Sequence, residues 1–483
     1  MKRILSTLAL AATISFTTMA QIVDLHDKAY LHPREDGKIE RLYGPDFHDC
    51  DTATLAQLYQ EWDEYTRKHP TDETGWRNYA EAQRRYWMNR KWPDESRTAD
   101  INLVRRLKES IPDTYTYYYM MIRWSAVDFR DDDAPEDGWK RAQYENACKA
   151  MELLPDDVEE QEVKDLVGIM IDNLDTLRTN RLLFELYNRN LMASGQLQYH
   201  FNELQGMPDS ALYIGDTHDF IPKLVIQRVL GLHRDKVFYN QGSCFDKSYN
   251  AKCFKLLGIP ELDFDEWLRI HGTWTNEDWY RQFDWNKKVV QHICDHSTRP
   301  VCFSANGLSS DWLTDSLRAR LYNEGLTLRY SATPYDNFAV KRRNIDQRYH
   351  LEYLLYPFQA KPKWNRSWGW YDVGNAENYV QLLKDQLPWY KKHDRKGYER
   401  LGHLFFRIAM NPVFSVATQV ATNQRTDALP EGLSNMQDVE IFMKGVEFME
   451  KYGIEKFLEE FEKHEKKQQE AEAAENNPNA KTK

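Results

Sequence analysis

Between Ala211 and Ser331 the chain alternates short apolar runs with segments of helical pattern, and each run ends in small polar residues. The runs are ALYIGDTHD, KVFYNQGS, PVCFSANG and LTLRYSAT. This alternation is typical of strands joined by crossover helices, which build a parallel sheet. Right-handed crossovers bring the ends of such strands to one edge, where open α/β sheets bind their ligands. The sequence therefore predicts a four-stranded, mostly parallel α/β unit at residues 206–335.

The ends of the predicted strands carry polar side chains that we interpret as candidate ligand-binding residues. They are Asp216, His218, Asp219, Asn240 and Asn306. Aspartate is favoured immediately before a helix, so a capping role for Asp219 competes with ligand binding. His218 is equally well explained as a loop residue with ordinary hydrogen bonds.

The pentapeptide Gly215–Asp219 contains two patterns, Asp-x-His and Gly-Asp-x-x-Asp, that also occur in metallophosphoesterases. In those enzymes carboxylates and imidazoles hold two metals that activate water. Their motifs lie on separate loops and are joined by an Asn-His pair, whereas here both patterns overlie five residues and the chain has no Asn-His pair. We therefore predict no metal site and no cofactor, and we identify no catalytic residue.

Helical spacing dominates from Asp51 to about Tyr199. Leu55, Leu58 and Trp62 recur at steps of three and four residues, so they share one helix face. The segments Trp76–Ala80 and Ala147–Asp156 resemble the opening and the closing helix of a tetratricopeptide repeat. We predict degenerate TPR-like helical repeats at residues 51–205, which either bind a protein partner or buttress the sheet, and the aromatic stripes favour the buttress.

The two ends of the chain differ from its middle. Lys2 and Arg3 precede the apolar stretch Ile4–Phe16, and Thr18-Met19-Ala20 resembles a cleavage site, so residues 1–20 are predicted to be a signal peptide. An extended segment is expected at 21–50, a helical region at 336–461 and a disordered charged tail at 462–483. No later window contains the roughly 18 to 20 consecutive apolar residues that span a bilayer. We expect a periplasmic protein, with secretion as the alternative, and no transmembrane segment after signal removal.

Charge and cysteine content argue against a nucleic-acid partner and against a structural zinc site. The formal net charge of −11 repels phosphate backbones, so we expect no nucleic-acid partner. The chain has six cysteines but no C-x2-C pair, which argues against a structural zinc site. A disulfide among Cys244, Cys253, Cys294 and Cys302 stays open, since an exported chain permits one without requiring it.

Four motifs of the α/β block carry a family resemblance. They are Gly215-Asp216-x-x-Asp219-Phe220-Ile221-Pro222, Arg234-Asp235-Lys236-Val237, Arg299-Pro300-Val301-Cys302-Phe303 and Glu324-Gly325-Leu326-Thr327-Leu328-Arg329. On these motifs the block resembles the soluble segment of large bacterial envelope proteins whose membrane portion is O-mannosyltransferase-like and whose function is not established. The resemblance implies an exported α/β module flanked by helical repeats. It does not carry sugar transfer over to this chain, in which we expect no membrane spans.

These observations predict an α plus α/β protein that acts as an exported cell-envelope binding or scaffolding protein, with an envelope protein as its partner. The alternative is an envelope enzyme that acts on a glycan or a phosphoester at the loop edge of the α/β unit. A glycan is the second candidate partner, because four aromatic residues could offer flat faces to a sugar: Trp364, Trp368, Trp370 and Tyr371.

Overall fold

The structure is a computed structural model, and it describes most of the chain between residues 28 and 460. The described residues are 28–34, 39–47, 50–128, 138–272, 282–305, 313–355, 370–409, 448, 451–460 and 463. The predicted signal peptide lies outside them, as does most of the predicted charged tail. Among the described residues, no helix combines the length and the apolar character that a membrane crossing requires.

The chain divides into two compact units. Of the described residues, those up to 350 and residues 370–372 belong to one unit, and residues 351–355 and those from 373 onward belong to the other. The domain boundaries that the sequence suggested, at residues 206 and 336, stay predictions.

The larger unit contains a series of eight described helices, three of which have an aspartate side chain as their cap. Asp51, Asp72 and Asp175 each accept a hydrogen bond from a backbone N–H in the first turn of the following helix, the preferred chemistry at that position. These helices are α1 (Thr52–Lys68), α2 (Glu73–Asn89), α3 (Asp94–Ser110), α4 (Tyr115–Asp128), α5 (Gly138–Glu152), α6 (Glu160–Asp172), α7 (Thr176–Asn188) and α8 (Ser194–Gly206).

Helices that follow one another in this series pack against each other, most closely α1 with α2, α4 with α5 and α6 with α7. Each pair buries the stripe that its spacing predicted, such as Leu58 and Trp62 on α1 and Leu166 and Val167 on α6. Stacked helix pairs of this kind agree with the predicted helical tract. The finer likeness to tetratricopeptide repeats stays a prediction.

A mixed five-stranded sheet follows, with the strand order β2-β1-β3-β5-β4. Strand β1 pairs in parallel with both β2 and β3, while β5 pairs antiparallel with β3 and with β4. The parallel part therefore matches the predicted crossovers. The strands are β1 (Leu212–Gly215), β2 (Val237–Asn240), β3 (Val301–Ser304), β4 (Leu321–Asn323) and β5 (Thr327–Tyr330).

Two details of the predicted sheet are wrong. The sheet has a fifth strand, β4, because Leu321, whose four-residue spacing from Leu313 and Leu317 predicts a helix, lies opposite Tyr330 in a hairpin. The fourth predicted strand, now β5, runs antiparallel, so its end lies at the other edge of the sheet from those of β1, β2 and β3. The physical reason is the short turn at Gly325, whose φ of +126° suits glycine and reverses the chain within three residues.

Helices cover both faces of the sheet because successive strand residues point to opposite sides. Tyr213 and Cys302 face a core that contains Phe220 and the buried sides of α4 to α8. Leu212 and Ile214 face a second core, which the helices between β2 and β3 supply. This packing corresponds to the buttress interpretation of the helical tract. The crossover helices are α9 (Thr217–Leu224), α10 (Lys247–Leu257), α11 (Phe264–His271) and α12 (Gln282–His296).

The four cysteines considered as disulfide partners, Cys244, Cys253, Cys294 and Cys302, are all thiols in the structure. Cys302 is fully buried in the core beneath β3, and burial raises the pKa of its thiol to about 12. The sheet therefore depends on packing rather than on a bridge among these residues.

Helix α13 (Asp315–Arg318) lies between β3 and the β4–β5 hairpin, and α14 (Asn337–Arg343) follows the hairpin. The smaller unit contains α15 (Trp370–His393) from residue 373 onward, α16 (Arg395–Ala409) and a helical stretch at residues 451–460. In that unit the Phe406 and Phe457 rings meet at 4.8 Å, and Gly402 lies against Ile454. The described part of the predicted C-terminal helical region is thus mostly helical, and its non-helical residues include 349–351 and 394.

If the helices and the sheet share one core, removing a large side chain from their interface should destabilise the fold. Phe220 is 2% exposed, so we expect Phe220→Ala to lower the free energy of unfolding by about 3–5 kcal/mol. Phe338 on α14 is 48% exposed, and Phe338→Ala should cost less than about 0.5 kcal/mol. Urea unfolding followed by tryptophan fluorescence measures both, and equal losses would contradict the shared core.

Candidate functional site

Asp216, the first predicted site residue, is exposed and lies directly before α9. Its Oδ1 accepts a hydrogen bond from the backbone N–H of Asp219 at 2.9 Å, so Asp216 is the helix cap. The expectation that Asp219 caps this helix was wrong. An N-cap side chain accepts a hydrogen bond from a backbone N–H in the first helical turn. Here Asp219 supplies that N–H, so its own carboxylate is not used as the cap and can bind other partners.

Asn240, at the end of β2, also stabilises the local fold. Its Oδ1 accepts from the backbone N–H of Gly242 at 3.1 Å, and its Nδ2 donates to Oγ of Ser243 at 2.6 Å and to Asp172 at 3.2 Å. Ser243 Oγ donates to the same Asp172 carboxylate. Packing around that carboxylate raises the pKa of Asp172, although these hydrogen bonds oppose the shift. The pair therefore ties the end of α6 to the turn after β2.

The remaining predicted positions carry no structural conclusion. Asn306, Trp364 and Trp368 lie outside the described residues, as do the side chains of His218, Trp370 and Tyr371.

A charged cluster that the sequence did not predict lies behind β1, and we call it the lysine cluster. It consists of His200, Glu203, Tyr213, Asp219 and Lys223. The Lys223 Nζ lies 2.6 Å from Oε2 of Glu203 and 3.1 Å from Oδ1 of Asp219. It is also 3.0 Å from Nδ1 of His200 and 3.1 Å from the hydroxyl of Tyr213. Lys223, Glu203 and Tyr213 are 0% exposed, which makes the cluster interior.

Helical spacing and one glycine explain how the cluster forms. His200 and Glu203 stand three residues apart on α8, and Asp219 and Lys223 stand four apart on α9, so each pair shares a helix face. The Tyr213 hydroxyl donates to Oδ2 of Asp219 across β1. A Cβ at Gly215 would lie 2.8 Å from that same oxygen, so only glycine leaves room for this approach.

Burial controls the protonation of the cluster. Loss of water raises the pKa of Glu203 and of Asp219, although the nearby Lys223 ammonium opposes both shifts. Burial holds the pKa of His200 well below its usual range, and the nearby Lys223 charge adds to this shift, so the imidazole is neutral. A neutral imidazole that carries its proton on Nδ1 donates to Glu203 at 2.6 Å. The three ammonium protons of Lys223 then suit Glu203, Asp219 and the Tyr213 oxygen.

The same geometry contains a set of metal ligands. The ligand atoms of His200, Glu203 and Asp219 all lie within 4.8 Å of one another. One imidazole and two carboxylates form a donor set that suits Zn²⁺ or Fe²⁺. Here the Lys223 ammonium lies among these ligands and contacts each of them, so it supplies the positive charge that a metal ion would bring. The arrangement stabilises the interior and presents no exposed cation to a substrate.

The motif Glu324–Arg329 is likewise structural. Glu324 is 1% exposed, and its Oε1 accepts from the Tyr335 hydroxyl at 2.7 Å and pairs with Arg329 at 3.4 Å. The Tyr349 hydroxyl accepts from the backbone N–H of Leu326 at 3.2 Å. It would lie 2.5 Å from a Cβ at Gly325, so close packing as well as positive φ requires this glycine.

Two signals in the sequence pointed toward the lysine cluster without identifying it. His200-x-x-Glu203 and Asp219-x-x-x-Lys223 each place ionisable groups one helical turn apart. Spacing of this kind usually marks an exposed face, because lysine and glutamate are rarely fully buried. Only the packing of α8 against α9 distinguishes this case.

If Lys223 neutralises buried carboxylates, its removal should be costly. We expect Lys223→Met to lower the free energy of unfolding by about 3–5 kcal/mol, because it leaves two carboxylates buried without a cation. Lys247 pairs with Asp265 at 2.5 Å, but the two side chains are 58% and 67% exposed, so Lys247→Met should cost about 0–1 kcal/mol. Denaturant unfolding at neutral pH compares the two variants, and similar losses would refute the assignment.

The buried imidazole should make stability depend on pH. The native state keeps His200 neutral while the unfolded chain protonates it, so its contribution is complete above about pH 6.5 and declines as the pH falls below that value. Glu203 and Asp219 act with the opposite sign, since a raised pKa lets the folded state bind protons first.

Comparison with His200→Gln isolates the imidazole. The free-energy difference between wild type and His200→Gln should shrink as the pH falls from 7.5 to 5, measured by denaturant unfolding. His393→Gln is the matched control, because that ring is exposed and its described contacts, the Trp389 carbonyl at 2.9 Å and the stacked Trp389 ring, include no charged group. A difference that stays constant with pH for His200→Gln would contradict the buried neutral imidazole.

Comparisons with known proteins add no assignment. No family model, no curated protein and no solved structure matches this chain. The resemblance to O-mannosyltransferase-like envelope proteins and the TPR-like likeness therefore stay predictions.

Proposed function

We propose that this protein is an exported binding or scaffolding component of the cell envelope, with an envelope protein as its partner. One observation carries the proposal: the described polar groups near the ends of β1 and β2 hold the fold together. Asp216 caps α9, Asn240 bonds the following turn and Asp172, and Asp219 pairs with Lys223.

Catalysis makes demands that this arrangement meets poorly. A general acid or base must come within hydrogen-bond reach of the proton that it transfers. Glu203 and Lys223 are 0% exposed, and each is within 3.1 Å of an internal partner. Catalysis on a glycan or a phosphoester at this edge, the alternative function, would therefore depend on the exposed Asp216 rather than on the lysine cluster.

The location in the envelope rests on the sequence. The predicted signal at residues 1–20 supports export to the periplasm. The described helices, none of which suits a membrane crossing, are compatible with a protein that works beside the membrane. A detached relative of a larger envelope protein would fit both features.

Affinity purification of the full chain, tagged at its C-terminus, from an envelope extract tests the proposal. We expect one complex to be recovered reproducibly, and we expect it to be lost when residues 2–20 are deleted, because that variant stays in the cytoplasm. The alternative would be supported if no complex appears and the protein hydrolyses a phosphoester with added metal. In that case Asp216→Asn should abolish hydrolysis while leaving the fold intact, since asparagine caps helices as well as aspartate does.

A further inference from the structure

Helix α7 carries large apolar side chains on both of its sides. Its inner face is buried in the core through Leu182, Leu183 and Leu186. Its outer face carries Leu177, Phe184 and Tyr187, whose exposed fractions are 81%, 52% and 44%. A helix that faces water normally carries polar residues on the side opposite its buried stripe. This outer face, which we call the α7 face, is exposed in the structure.

The arrangement on the α7 face follows from helical spacing. Leu177, Asn180, Arg181, Phe184 and Tyr187 are separated by three or four residues, so they lie along one side of the helix. Exposed apolar residues scattered singly are ordinary, whereas a contiguous set marks an interaction surface. Phe184 and Tyr187 are three residues apart and are therefore neighbours, while Asn180 and Arg181 lie between them and Leu177, so the surface is partly apolar and partly polar.

Another helix of the same tract shows the contrast. The exposed positions Arg141 and Glu145 on α5 form an ion pair at 2.9 Å, with side chains that are 82% and 58% exposed. That is the polar surface expected of a helix that faces water. Tyrosine, phenylalanine and arginine, which the α7 face carries, are enriched at the centres of protein interfaces, where lysine and glutamate are depleted.

The charge of the α7 face is positive. Arg181 is exposed on α7, and Arg228 donates to Oδ1 of Asn180 at 3.2 Å, which brings a second arginine beside the face. No carboxylate among the described residues pairs with either arginine. Glu185, the nearest acidic side chain along α7, is paired with Arg189 at 2.6 Å. Two arginines without a described carboxylate partner thus lie beside three apolar side chains, on a chain whose net charge is −11.

We propose that the α7 face is the docking surface for an acidic amphipathic segment of the envelope partner. The apolar side of such a segment would cover Leu177, Phe184 and Tyr187, and its carboxylates would pair with Arg181 and Arg228. Partial loss of water lowers the pKa of Arg228, and a carboxylate partner would offset that cost. This inference rests on the proposed binding function and specifies its partner.

A second copy of the chain fits the α7 face less well. A two-fold dimer places the same patch of both subunits face to face. Arg181 and Arg228 would then meet their own counterparts without a carboxylate between them. The charges therefore favour a different partner that carries acidic residues.

Site-specific photo-crosslinking in cells of the native host tests the docking surface. A photoreactive phenylalanine analogue replaces Phe184 in the full chain, and the same analogue at Arg141 on α5 is the control. We expect a crosslinked product from position 184 alone, and mass spectrometry should place the crosslink in an acidic amphipathic segment. Arg181→Glu with Arg228→Glu should lower the yield at least about tenfold, because two attractive contacts become repulsive.

The double variant Arg141→Glu with Glu145→Arg is the matched control, and it should leave the yield unchanged. Thermal melting must show that both double variants fold like the wild type. The docking surface is refuted if position 184 gives no product, crosslinks to a second copy, or crosslinks to a basic segment. If the full chain still recovers an envelope complex while position 184 gives no product, the surface assignment fails and the proposed binding function stands.

Discussion

The ammonium of Lys223, buried with the carboxylates of Glu203 and Asp219, is the interaction on which the centre of this fold depends. A charge without water is stable only when it is paired and hydrogen-bonded, so these groups constrain one another. They join α8, β1 and α9 at one place, and the Tyr213 ring lies 4.3 Å from the ammonium as a further contact. The arrangement specifies how the last helix of the tract meets the first strand of the sheet.

The apolar core extends this connection. Residues of α4 to α8 pack in the same core as Tyr213, Phe220 and Cys302, so the helical tract covers one face of the sheet. Asp172, bonded by Asn240 and Ser243, adds a polar contact at the end of β2. The polar residues at these strand ends therefore stabilise the joint between helices and sheet, and this is why a binding function at another surface is favoured over catalysis.

Much of the architecture was predictable because its signals are local. The apolar runs that end at Gly215, Asn240 and Ser304 became β1, β2 and β3, with the parallel pairing that crossover connections require. The helix faces of the tract followed from three- and four-residue spacing. The hairpin at Gly325 was missed, because the spacing of Leu313, Leu317 and Leu321 also fits a helix and only pairing with β5 distinguishes a strand.

The candidate site was less predictable, because its contacts join residues that are distant in the sequence. The sequence placed Asp216, Asp219 and Asn240 near strand ends, yet it assigned the capping role to Asp219 instead of Asp216. Because Asp216 is the cap, the Asp219 carboxylate is available as a partner of Lys223.

What the sequence determined by itself is the order of helices and strands, because spacing and turn residues act over a few positions. The tertiary structure alone decided which charges are buried together and which apolar face is left uncovered. His200 and Lys223 are separated by a whole strand and its flanking turns, and only packing brings them to 3.0 Å. The exposure of Phe184 is equally a property of the assembled fold, because a leucine-rich helix has the same pattern whether or not a neighbour covers its second side.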